Sequence, residues 1–184
     1  MQIDLYSLIK YLHILAAVVW VGGGFTLMLL GAAAARTKDR ADFARIIHHI
    51  VYMTPRMFIQ VSLAVLVLGV TAAWLSWGFS VLWIDLGFIG WAATFATGLF
   101  LLKSRADRIT EMLAKGEVTD EAVAVGNELL QISKFDYVVL FAVIADMAFK
   151  PTAGDWLLLL IMALAIVAAG FLFLLPAFRP RATA

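Results

Sequence analysis

The sequence predicts an all-α protein: a polytopic membrane bundle of about five transmembrane helices, N-terminus out and C-terminus in, plus cytoplasmic amphipathic helices. Three observations predict it. Of the 184 residues 64% are hydrophobic and only 15% charged, with mean hydropathy +0.96; soluble domains average about 45–50% apolar and about 25% charged. The apolar residues fall in runs near the ~20 needed to cross a hydrocarbon core of about 30 Å. Basic residues collect in alternate connections between those runs. This composition excludes a soluble enzyme, a disordered regulator and a coiled coil. The 14 Lys and Arg against 13 Asp and Glu leave no basic surplus, so nucleic acid is not an expected partner. The absence of cysteine excludes disulfides, thiolate metal sites and covalent c-type haem.

The first span covers residues 6–34, with no fixed charge between Lys10 and Arg36. It reads as a retained helix, because Asp4 precedes the only early lysine and the uncharged run from Tyr11 to Ala35 is 25 residues, longer than a signal-peptide core of about 7–15. The second span covers 55–77, opened by Thr54-Pro55 as N-cap and first helical position. Trp77-Gly78-Phe79-Ser80 is a tight turn into the third span, 81–102. The fourth, 135–149, carries Asp136 at one end and Asp146 inside; the fifth, 156–178, is uninterrupted by charge. The inner segments are 35–54 and 103–134. In the first, Phe43, Ile46, Ile47 and Ile50 make an apolar stripe expected to lie flat at the interface. The second is expected to hold a helix over about 105–115, stopped by Gly116, and another from Thr119 that can run into span four. No linker divides the chain, which reads as one membrane domain over 1–184.

Orientation follows from charge. Twelve of the 14 basic residues fall on one side: Arg36, Lys38, Arg40, Arg45 and Arg56, then Lys103, Arg105, Arg108, Lys115 and Lys134, then Arg179 and Arg181. Only Lys10 and Lys150 remain for the other. The crowded side is cytoplasmic.

Ionisable groups at membrane depth are functional candidates by default. His13, Asp85 and Asp146, on three helices, are expected near one another in the outer leaflet, as a metal or proton-coupled cation site. His13, Ala17, Trp20, Gly24 and Gly31 share one helical stripe, a surface for a flat cofactor or for a neighbouring helix. Gly22-Gly23-Gly24 and the Gly90/Thr94/Gly98 ladder read first as packing. Met147, at nearly the depth of His13, offers a second haem ligand, although its neighbour Asp146 points about 100° away. Asp85 has a bland reading as an interfacial carboxylate. His48 and His49 read as exposed interfacial histidines, and Arg56 with Gln60 as headgroup contacts.

Residues Tyr11 to Phe25, YLHILAAVVWVGGGF, carry an LH-x6-W-x-GG pattern. It resembles the opening helix of the copper-resistance CopD domain, of HemJ-type protoporphyrinogen oxidases and of a short family of bacterial integral membrane proteins, the last being nearest in length and layout. The resemblance implies a small helical bundle in the bacterial inner membrane, with His13 as a ligand to b-type haem or a metal ion and a redox role. HemJ-type proteins place an Arg and a His after the glycines; here Thr26 to Gly31 holds neither. Two other functions stand beside the redox reading. One is a non-catalytic membrane subunit that assembles with a membrane-protein partner or a second copy. The other is a proton- or cation-coupled site of His13, Asp85 and Asp146.

Overall fold

Five helices account for the described residues of a computed structural model, which are 4–37, 39–115 and 119–178, with 55–57 described without their side chains. Lys38, Gly116, Arg179, Arg181 and the side chain of Arg56, which carry expectations above, lie outside the described residues. Asp4 caps α1 (Leu5–Ala34) by accepting from the Ser7 amide at 2.6 Å. That bond holds the Asp4 carboxyl below the usual carboxylate range. Asp39 caps α2 (Arg40–Ser76) through the Ala41 amide at 2.8 Å. Gly78, with φ +72°, then turns the chain, its N–H reaching back to the Ala73 carbonyl. α3 (Leu82–Ala114) starts as α-helix, widens to a π-helix over Thr97–Leu102 and resumes at Lys103. The Thr119 hydroxyl caps α4 (Asp120–Phe149), with Asp120 and Glu121 in its first turn. Lys150, in the left-handed region at φ 50°, ends α4. α5 (Trp156–Ala177) has its own π-helical stretch, Gly170–Leu174.

The all-α membrane bundle is as expected. Four helices among the described residues, α1, α2, α3 and α5, are long and apolar enough to cross a bilayer. The fifth, α4, at 30 residues and about 45 Å, has the length. Lys134, Asp136 and Asp146 make it too polar to stand out by hydropathy. Its place in the packing explains how it carries them. α4 touches α1 through Tyr137, α3 through Val143 and Met147, α5 through Phe135, and the inner part of α2 through Gly126 against Phe43. Polar groups are tolerated on the helix that sees least lipid.

α1 and α2 form an antiparallel hairpin. Trp77 donates to the Tyr6 hydroxyl at one end, the His13 ring lies on Gly69, Gly24 meets Phe58, and Gly31 meets Ile50 toward the other, the end expected to face inside. α3 and α4 are antiparallel too, from Gly87 against Met147 down to the Arg108–Glu121 ion pair.

Two boundaries differ from expectation. Thr54-Pro55 does not begin a helix: α2 runs unbroken from Arg40, and the Thr54 hydroxyl bonds back to the Ile50 carbonyl at 2.6 Å. The inner amphipathic segments are therefore extensions of spanning helices. Nor does their apolar stripe lie flat on the membrane. Phe43, Ile47 and Ile50 pack with Ala34, Ile109 and Val125 in a buried inner cluster. Apolar side chains at i, i+3, i+4 and i+7 look alike whether they face headgroups or other helices, and here the other inner extensions cover them.

Candidate functional site

Above the inner cluster the four helices α1 to α4 do not close on one another. A cavity of about 130 Å³ lies between them, several times the ~10–15 Å³ that admits one water by the same measure. Trp20, Leu27 and Met28 of α1, Ile50, Phe58 and Ile59 of α2, Phe95, Leu99 and Leu102 of α3, and Leu129 and Leu130 of α4 make its walls apolar. Gly24, Gly31, Gly98 and Gly126 also line it, and the π-helical turn of α3 supplies one wall. π-turns recur at functional sites, because they open a helix at the cost of regular hydrogen bonding.

Polar groups on the lining are few, and most are already engaged. The hydroxyls of Thr54, Thr94 and Ser133 each donate to a carbonyl of their own helix, at 2.6, 3.0 and 2.9 Å. Tyr137 donates across to the Val21 carbonyl at 3.3 Å, and Ser62 accepts from the Trp91 indole at 2.9 Å. Asp136 differs. It is 8% exposed, lines the cavity, and its Oδ1 is buried with no hydrogen-bond partner among the described residues. Lys103, on the lining, is held by Asp107 at 2.6 Å.

A family model described as "Predicted integral membrane protein (DUF2269)" matches residues 7–151. The chain belongs to this family. No curated protein and no solved structure matches it. The DUF2269 match takes in every residue that lines the cavity, whereas α5 lies beyond it.

In this DUF2269 chain the residues singled out from sequence are spread over separate faces. Trp20 and Gly24 line the cavity; His13 and Met147 do not. The His13 Nδ1 is 3.0 Å from the Val65 carbonyl and the ring edge rests on Gly69, so the imidazole sits in the α1–α2 seam. Met147 lies against Gly87, in the α3–α4 seam. His13 and Met147 thus turn to different neighbours. Asp85 is exposed in the first turn of α3. Asp146 is 1% exposed near Gly87, with both oxygens buried and unpartnered. No group of three or more His, Asp or Glu among the described residues is placed to hold a metal ion, so His13, Asp85 and Asp146 are not brought together as one. His48 and His49 are exposed, their rings 5.9 Å apart.

Asp136 is the residue that sequence reasoning missed. With span four begun at Phe135, it counted as a terminal charge. The signal lay in the stretch before it: from the Thr119 cap nothing breaks the helix, which puts Asp136 at its seventeenth residue.

Proposed function

We propose that the protein is a membrane-embedded binding protein, which holds one elongated, mainly apolar molecule in the cavity between α1, α2, α3 and α4. The observation that carries this reading is an apolar cavity with the buried Asp136 carboxyl on its wall, whose Oδ1 has no hydrogen-bond partner among the described residues. Ligand sites take this form, with apolar walls for shape and a few placed polar groups for orientation. An ionisable group is retained at such depth when it has work there. The binding role passes from His13, committed to the α1–α2 seam, to the cavity below it.

The test uses bromine-tipped undecyl alcohol, a chain whose bromine quenches indole fluorescence, on the protein in lipid nanodiscs. Trp20 lines the cavity, and Trp20→Phe identifies its share of the signal from six tryptophans. Gly98→Phe fills the cavity from a position where an added Cβ meets nothing within 4 Å. Saturable quenching of Trp20 that is lost in Gly98→Phe supports the reading. Quenching that rises linearly with probe, or that Gly98→Phe leaves unchanged, sinks it.

A further inference from the structure

Resting on that reading, we infer that the molecule held in the cavity carries a hydrogen-bond donor, a hydroxyl or an ammonium, on its apolar chain, and that Asp136 binds this donor. A soluble cavity selects greasy ligands through the hydrophobic effect. A cavity inside a bilayer cannot, because lipid tails are as apolar as its walls. An alkyl chain gains little by leaving lipid, so selective binding must come from a polar contact that lipid lacks.

Among the described lining residues, Asp136 is the one with a buried side-chain oxygen that has no hydrogen-bond partner. The hydroxyls of Thr54, Thr94, Ser133 and Tyr137 spend their hydrogens on backbone carbonyls, and none turns to Asp136. The Asp136 Oδ1 is left with acceptor capacity, in a setting of low dielectric where a donor is held more strongly than in water. An anionic head has no comparable welcome. Among the described lining residues the one lysine, Lys103, is already paired with Asp107 and is not free to hold an anion. The ligand is thus a neutral or cationic amphiphile, oriented with its head at Asp136.

Head-group variants of one chain test this. Bromine-tipped undecyl alcohol, amine, methyl ether and sulfonate are compared by Trp20 quenching in nanodiscs. The alcohol and the amine should bind about tenfold tighter than the ether, the size of effect that one well-formed hydrogen bond gives. The sulfonate should bind weakest. In Asp136→Leu the alcohol and ether should become equal, with chain binding retained. Asp136→Asn, whose amide oxygen still accepts, should keep the preference for the alcohol and lose that for the amine. This variant decides the matter if Asp136→Leu does not fold. Equal binding of alcohol and ether to the native chain, or a preference for the alcohol that survives Asp136→Leu, overturns the inference while leaving the binding reading in place. No saturable binding by any of the four overturns both.

Discussion

Gly24 and Gly22 sit two residues apart on α1 and do different things. A Cβ on Gly24 would strike the Tyr137 hydroxyl and the Phe58 ring, whereas one on Gly22 would meet nothing within 4 Å. Gly24 lets three helices approach at the cavity wall; Gly22 faces outward. We expect Gly24→Ala to destabilise by about 1–3 kcal/mol, the usual cost of one added carbon in a filled site. Gly22→Ala should cause no loss, and thermal unfolding in detergent compares the two. Equal melting of both variants would remove Gly24 from the packing. The stripe through Trp20, Gly24 and Gly31 was readable from periodicity alone, because a helix's register is a property of its own sequence. What covers the stripe was not. Choosing among a cofactor, a partner helix and a cavity needs the positions of Phe58 and Tyr137, on helices 34 and 113 residues further on.

At the scale of the helix, legibility depended on whether the end signals were local. The helix start at Thr119 and the turn at Gly78 are set by residues close by in the chain, and the sequence shows them. The Thr54-Pro55 signal misled, because the contacts that keep α2 helical on its inner side come from α3 and α4. Ile109, fully buried between Phe43, Ile47 and Val125, is the centre of that arrangement. The inner cluster lies where the ion pairs Arg40–Asp120 and Arg108–Glu121 mark an aqueous boundary, so the hydrophobic effect operates there in full. Ile109→Ala should therefore cost about 2–5 kcal/mol. Ile89, 64% exposed on α3, faces the lipid side. Exchanging one apolar contact with lipid for another is nearly neutral, so Ile89→Ala should melt within a degree or two of the native protein, by about the shift expected for ≤0.5 kcal/mol. The reverse ranking would mean that the inner cluster is not what holds the helices together.

At the scale of the molecule, the unresolved choice between four and five crossings becomes one of sides. An even number returns the chain to the face on which it began; an odd number separates its ends. Hydropathy counts four, with α4 disqualified by its charges. The contacts of α4 decide otherwise. Its first residue, Asp120, is paired with Arg40 at the start of α2. At its other end the Lys150 ammonium lies over Trp77 and Trp83, 4.4 and 5.2 Å from their ring centres, in the turn where α2 passes to α3. These are the two ends of the bundle, so α4 crosses whatever α2 crosses. The sequence assigns twelve of the 14 basic residues to the Arg40 side, so the charge rule predicts that this side faces inside. The chain has no cysteine, so single-cysteine variants need no prior removal. Ala41→Cys, exposed beside Arg40, should resist a membrane-impermeant maleimide added to intact cells and react once the membrane is opened. Ala153→Cys, exposed just after Lys150, should react in intact cells. Labelling of Ala41→Cys alone would invert the orientation. Equal behaviour of the two variants would place both ends of α4 on one side and remove it from the membrane, and with it the wall of the cavity that carries Asp136.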